Sequence, residues 1–117
     1  MNISFAKLLF AVLLSAFSSI CIWLSLNLRY ISEWWDQNVL FNIMFFSPII
    51  GILTYYYWGK AVDIFESLWA ARFVAFSINT IVFGLLTWYI IGESPLDIKT
   101  VTCLFLSIMI LLIQVLL

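Results

Sequence analysis

The chain has 117 residues, of which 66% are hydrophobic, 19% aromatic and only 9% charged, and its formal net charge is −1. A soluble domain needs charged side chains at roughly a quarter of its positions to cover its surface, so this composition excludes one. A net charge near zero without a basic cluster gives no reason to expect nucleic acid as a partner. The expected surroundings of the chain are a lipid bilayer.

Four long apolar segments predict an all-α integral membrane protein, a four-helix bundle that forms a single domain over residues 1–117. The apolar runs are continuous rather than alternating, which favours transmembrane helices over a β-barrel. We expect the four transmembrane helices at about residues 5–28, 38–58, 64–91 and 98–117.

The residue inventory gives no indication of catalysis. The sequence has no histidine, no cysteine pair at metal-ligand spacing and no glycine-rich phosphate loop. Cys21 and Cys103 lie inside separate apolar segments, where cysteine is usually a small packing residue rather than half of a disulfide. We therefore expect no metal site, no cofactor and no enzymatic activity.

The first apolar segment carries a strip of small side chains. Ala11, Ser15 and Ser19 recur every four residues, so they share one helix face on which a second helix can pack closely. The connection that follows, RYISEWWDQ at 29–37, contains Trp34 and Trp35. Paired tryptophans are typical of the membrane–water interface, and we favour that interpretation over a gating role.

The second segment contains a helix-distorting pair near its middle. Pro48 has no amide hydrogen to donate to the carbonyl of Met44, and Gly51 lies one turn later. We expect a kink here, which either shapes the helix or serves as a gating hinge. Gly59 and Lys60 predict a short turn that ends this segment.

The third segment is the one with an ionisable residue well inside its apolar run. Trp69 and Trp88 lie nineteen residues apart, which at helical rise is about 28 Å and matches the thickness of bilayer hydrocarbon. On this scale Arg72 lies one turn inside one interface and Asn79 lies near the midplane. An unpaired polar group at that depth costs several kcal/mol, so both side chains need an explanation.

Two interpretations of this helix remain open. Arg72 either extends to the nearby interface or lines a polar cavity that receives an anionic or polar group, and Asn79 either bonds a neighbouring helix or contacts a ligand. Trp69 and Phe76 flank Arg72 at helical spacing, where cation–π contact is possible. The candidate substrate-binding residues are Arg72, Asn79, Trp69 and Phe76, on a face that also includes Phe65 and Phe83.

The fourth segment follows a turn marked by Gly92 and Pro95. Cys103 and Ser107 have the spacing of a close-packing helix face, and Gln114 lies two turns further along. We expect these three residues to form a dimer-packing surface.

Charge does not specify how the chain is oriented. Lys7 and Lys60 fall on one side of the predicted bundle, and Arg29 and Lys99 fall on the other. Because lysine and arginine in short loops set orientation, insertion in both directions is expected. Four short helices can hardly enclose a ligand alone, so we expect a homodimer, with an antiparallel pair as one possibility.

The run TWYIIGESPLDIKTVTCLFLSIMILLIQVLL at 87–117 resembles the last two helices of small multidrug resistance proteins and of the wider drug/metabolite transporter superfamily. The shared pattern is a hydroxyl residue, a tryptophan, three apolar or aromatic residues, glycine and glutamate, then a short turn and a long apolar helix. The resemblance implies a four-helix protomer, an antiparallel homodimer and alternating access to a site between subunits. It places Arg72 about where that family has an aromatic substrate-lining residue.

One departure from the family bears on the substrate. Small multidrug exporters carry a first-helix glutamate that exchanges protons for cationic drugs, whereas residues 8–28 contain no acidic residue. The resemblance extends to flippase subunits for lipid-linked sugars, which need no such glutamate. We therefore expect a transporter or flippase for a polar, anionic or lipid-linked substrate in a bacterial inner membrane. The alternative is a non-transporting membrane subunit that scaffolds or regulates a larger complex.

Overall fold

The computed structural model describes residues 5–117. This part of the chain contains five α-helices and no strand. A 3₁₀ turn, Leu28–Tyr30, follows the first helix, and a π-helical turn, Thr87–Ile91, extends the fourth. The helices are α1 (Phe5–Asn27), α2 (Glu33–Gln37), α3 (Val39–Phe65), α4 (Leu68–Leu86) and α5 (Ile98–Leu116).

Four helical stretches are long and apolar enough to cross a membrane, with mean hydropathies between 1.7 and 2.2. The predicted all-α four-helix bundle is confirmed, and the protein is of the multi-pass membrane type. Helix α2 is a five-residue piece between the first two spans. The spans are Phe5–Tyr30, Val39–Phe65, Leu68–Ile91 and Ile98–Leu116.

Helix α1 packs against both α3 and α4, which also contact each other, whereas α5, among the helices that the structure describes, packs against α4 alone. Small side chains lie where α1, α3 and α4 meet: Ala11, Ala61 and Ala71 are buried. Their size lets the helix backbones approach closely, which is how helices associate in lipid. The predicted small-residue strip on α1 is confirmed as a buried surface, since Ser15 and Ser19 are buried with Ala11.

The connection between the second and third spans differs from the prediction. Helix α3 continues through Gly59 and Lys60 to Phe65, and the turn consists of Glu66 and Ser67. The predicted end at 58 and start at 64 are therefore wrong, and Phe65 belongs to α3 rather than to the face of Arg72. Burial of Ala61 and Phe65 in the core explains why α3 extends through its glycine.

The far end of α4 is joined to α1 by a hydrogen bond. The indole Nε1 of Trp23, a side chain that is 1% exposed, donates to the hydroxyl of Thr87 at 2.9 Å. The π-helical turn ends at Ile91 and is capped by Gly92, whose φ of 87° is the left-handed conformation that glycine adopts readily. The predicted helix end at Gly92 is confirmed.

Candidate functional site

A cavity of about 200 Å³ lies among α1, α3 and α4, within the membrane-spanning part of the bundle. Its lining is unusually polar for this depth, with five hydroxyl groups, one guanidinium and one amide. Among residues 5–117 no aspartate or glutamate lines it, so the cavity carries one positive charge. The polar lining residues are Ser15, Ser18, Ser19, Thr54, Tyr57, Arg72 and Asn79.

Burial distinguishes the floor of this cavity, which we call the Arg72 cavity, from its rim. The serines of α1, including Ser15 and Ser18, are buried and form the floor. Thr54 of α3 and both Arg72 and Asn79 of α4 are exposed on the surface of the bundle. The cavity therefore opens laterally between α3 and α4, with α1 behind it.

Hydrogen bonds fix the floor and the two rims. The hydroxyls of Ser18 and Thr54 are 3.0 Å apart and join α1 to α3. The Tyr57 hydroxyl donates to the Ala71 carbonyl at 2.7 Å and joins α3 to α4. Neither bond uses the Arg72 guanidinium, so these contacts build the cavity without occupying its one cationic group.

Helix geometry gives the depth of the polar groups. Helix α4 begins at Leu68, so at 1.5 Å rise per residue Arg72 lies about 6 Å and Asn79 about 16 Å along its axis. The cavity therefore extends from near one end of α4 towards the middle of the span. A guanidinium at this depth attracts a group of negative charge, because an intramembrane ionisable residue is favoured when it has a partner.

Three of the four predicted substrate-binding residues lie together. Arg72, Phe76 and Asn79 all line the cavity. Trp69 does not: it is 73% exposed and stacks on Phe73, with ring centroids 5.9 Å apart. It lies one turn nearer the end of α4, beyond the cavity mouth.

The cation–π contact that is possible for Arg72 is not found in residues 5–117. The cation–π contact in that range places Arg29 over the ring of Tyr30, at 5.7 Å from the centroid.

The residues predicted to form a kink or gate lie away from the cavity. Pro48 is inside α3, which is a continuous helix from Val39 to Phe65. Pro48 and Gly51 are both exposed, and a Cβ added at Gly51 would meet no atom within 4 Å. Neither residue lines the Arg72 cavity, so a gating role for this pair stays a prediction.

The residues predicted to pack a dimer fall into two groups. Ser107 is buried within the single chain, and its hydroxyl donates to the Cys103 carbonyl at 2.9 Å. Ser107 therefore serves packing inside the chain. Cys103 is exposed and Gln114 is half-buried, and a dimer contact through these two residues stays a prediction.

Sequence reasoning missed Ser18, Thr54 and Tyr57 as cavity residues. Thr54 and Tyr57 have the three-residue spacing of one helix face, a signal within α3 that was available. It did not reveal that this face opposes the serines of α1, because helix pairing is not encoded in the periodicity of either helix. Among residues 5–117, no group of three or more cysteine, aspartate or glutamate side chains is placed to hold a metal ion.

Comparison with known proteins gives no relative. No family model, curated protein or solved structure matches the chain. The features of the chain that bear on function are therefore the Arg72 cavity and the pattern of residues 87–117.

Proposed function

We propose that this chain is a subunit of a small drug/metabolite-type transporter or flippase that acts on a polar, anionic or lipid-linked substrate. In this proposal it works as a homodimer in a bacterial inner membrane. The observation that supports it best is Arg72, a cation within the span that lines a polar cavity without an acidic side chain.

The chemistry of the lining favours a phosphate. A guanidinium offers a planar pair of donors that matches two phosphate oxygens, and such charge-assisted bonds are strengthened where water is scarce. The Asn79 amide supplies a further donor on the same helix face. Phe76 lies between them and gives the apolar edge that the carbon skeleton of a substrate would contact.

Size favours a head group over a whole drug molecule. The cavity of about 200 Å³ is below the roughly 300–1,000 Å³ of pockets that enclose drug-sized ligands. Its lateral opening between α3 and α4 lets apolar tails stay in the bilayer while the head group occupies the polar interior. These two features favour a lipid-linked substrate within the proposed class.

An antiparallel homodimer would complete the path of the substrate across the bilayer. One Arg72 cavity extends from one end of α4 only towards mid-membrane, so a single chain supplies half of a route across the bilayer. A second, inverted copy would supply the other half, as inverted repeats do in larger transporters. In this mechanism Arg72 receives the head group and Asn79 holds it near the midplane.

The test measures binding of a fluorescent polyprenyl phosphate to the full-length protein in lipid nanodiscs, with the matching polyprenol as the uncharged comparison. We expect the phosphate to bind and the polyprenol to bind poorly. Arg72→Gln should weaken phosphate binding about 10- to 100-fold, since it removes charge-assisted hydrogen bonds. Arg72→Lys should retain part of the affinity, because it keeps the charge without the paired donors.

Lys99→Gln provides the matched control, because Lys99 is a cation that does not line the cavity. It should leave phosphate binding unchanged, because one chain alone lines the Arg72 cavity, whichever way that chain is inserted. Equal binding of polyprenol and polyprenyl phosphate, or an Arg72→Gln protein that binds like the parent, would remove the proposed role of the cavity. Transport is then tested by movement of the same probe across proteoliposomes.

A non-transporting membrane subunit is the second candidate, and the exposure of α5 favours it. This helix contacts α4 alone, and Phe105, Leu106 and Leu116 are 60%, 54% and 74% exposed. Such a surface suits a partner helix as well as lipid. Cysteines placed on the exposed face of α5 separate the candidates: crosslinks between two copies support the homodimer, and crosslinks only to another protein support the scaffold.

A further inference from the structure

A second polar cavity lies at the end of the bundle away from the Glu66–Ser67 turn. It has a volume of about 260 Å³ and lies between the end of α1, the short helix α2 and the start of α3. Two of its lining residues carry opposite charges, Arg29 and Asp36. Its lining shares no residue with the Arg72 cavity.

The position of this cavity is at a membrane surface. Asp36 lies in the segment that joins the first two spans, Phe5–Tyr30 and Val39–Phe65, and Arg29 lies at the end of the first span. Trp34 and Trp35 in the same segment are the aromatic residues that favour the interface. Lipid head groups are the charged molecules present at that depth.

Aromatic contacts hold the short helix α2 in place. The Trp35 ring lies 5.8 Å from Phe41 and 5.7 Å from Phe46, measured between centroids. The Trp34 and Trp35 rings meet edge to face at 5.0 Å. Because Asp36 follows Trp35 directly, this cluster fixes the part of the backbone that carries the carboxylate.

The opposite wall of the cavity is held by polar bonds. Asn42 is 7% exposed, and its amide donates to the Ser25 carbonyl at 3.0 Å, which joins α3 to α1. Arg29 uses its Nε to donate to the Leu26 carbonyl at 3.2 Å. That bond orients the guanidinium and does not use its two terminal nitrogens.

The cavity also has an apolar side that continues into the membrane-facing surface. Leu26, Val39 and Ile43 line it and are 50%, 56% and 51% exposed. Side chains of this kind give an acyl chain a surface to lie along. The cavity therefore combines one cation, one anion and an apolar wall, as an amphiphile with a zwitterionic head requires.

We propose that this cavity binds the head group of an aminophospholipid of the phosphatidylethanolamine type. Arg29 donates to the phosphate, and Asp36 accepts from the primary ammonium. Phosphatidylcholine has the same phosphate but no N–H to donate to the carboxylate. Phosphatidylglycerol has the phosphate but no cation for Asp36 to pair with. This proposal is independent of the transported substrate.

Native mass spectrometry of the full-length protein tests the assignment. The protein is purified in detergent and offered equimolar dioleoyl phosphatidylethanolamine, phosphatidylcholine and phosphatidylglycerol, and the retained lipid is counted. We expect phosphatidylethanolamine to be retained about tenfold over phosphatidylcholine, the effect of one charge-assisted hydrogen bond. Equal retention of these two lipids in the unaltered protein would overturn the proposal without any variant.

Variants then test the two charges separately. Asp36→Asn should remove the preference for phosphatidylethanolamine over phosphatidylcholine. Arg29→Gln should weaken the binding of both lipids alike, because both carry the phosphate. Glu33→Gln is the control, since Glu33 is an exposed carboxylate of the same short helix and does not line the cavity. It should leave the preference unchanged.

Two further outcomes would overturn the proposal. If Glu33→Gln removed the preference as Asp36→Asn does, the effect would belong to surface charge rather than to this cavity. If soluble phosphoethanolamine displaced the lipid at an equal concentration, the site would recognise a water-soluble zwitterion. We expect no displacement at that concentration, because the acyl chains contribute to lipid binding along Leu26 and Ile43.

Discussion

Tyr57 is the side chain that joins the two rims of the Arg72 cavity. It is 2% exposed, and its hydroxyl donates to the Ala71 carbonyl across the gap between α3 and α4 at 2.7 Å. The bond lies beside the cavity and one residue before Arg72. Loss of the hydroxyl therefore affects both the stability of the bundle and the position of the guanidinium.

Tyr57→Phe should lower the free energy of unfolding by about 1 kcal/mol, the usual net contribution of one hydrogen bond to stability. The phenyl ring remains, so no cavity is created. The measurement is reversible unfolding of the full-length protein in a series of detergent mixtures. Tyr55→Phe is the control, since Tyr55 is 77% exposed and should change stability little. Equal losses in the two variants would contradict the assigned role of Tyr57.

Sequence periodicity predicts three of the ten residues that line the candidate site. Arg72, Phe76 and Asn79 lie on one face of α4, and helical spacing alone places them together. Six of the lining residues come from α1 and α3, including Ser18 and Thr54. The spacing of the serines predicts a packing strip, which they form, but small hydroxyl residues pack and line polar space equally well. Which of these they do depends on the opposing helix.

The turn between α3 and α4 is the element whose position differs most from the prediction made from the sequence. Gly59 and Lys60 have the composition of a turn, yet α3 passes through them. Glu66 adopts φ 55°, a left-handed conformation that glycine normally occupies, so composition gives no signal there. Ser67 does give a signal in the sequence, because serine is a favoured N-cap residue. Its hydroxyl accepts a hydrogen bond from the Ala70 amide at 3.1 Å and caps α4.

This turn predicts two opposite changes in stability. Glu66→Gly should raise the free energy of unfolding by about 0.5–1 kcal/mol, since glycine adopts the left-handed conformation without strain. Ser67→Ala should lower it by about 1 kcal/mol through loss of the cap. Thermal unfolding of the purified full-length variants measures both. A Glu66→Gly protein less stable than the parent would show that the carboxylate contributes more than the backbone conformation costs.

For the whole molecule, the number and type of spans could be predicted and their arrangement could not. Four apolar runs longer than a bilayer requires dictate four helices, because only helices satisfy their own backbone hydrogen bonds in lipid. The placement of α1 against both α3 and α4 depends on small residues such as Ala11 and Ala71 meeting. Many pairings of four apolar helices bury similar small faces, so sequence alone does not select one.

The distribution of charge over the two ends of the bundle gives the last prediction. Lys7 and Lys60 line one cavity together, so they share an end, and Arg29 lies at the other end beside α2. Lys99 follows the start of α5 at Ile98, on the same end as Arg29. Each end thus has two cations near the ends of the spans, and the positive-inside rule favours neither orientation.

The unaltered chain should therefore insert both ways, and a single charge should shift the balance. Lys60→Gln should place a reporter fused after Leu117 mostly outside the cytoplasm. Lys99→Gln should place that reporter mostly inside. The measurement compares alkaline phosphatase, active outside, with green fluorescent protein, active inside, each fused after Leu117. Glu93→Gln is the control, because acidic residues contribute little to orientation. One fixed orientation in the parent and in both lysine variants would remove the basis for an antiparallel pair.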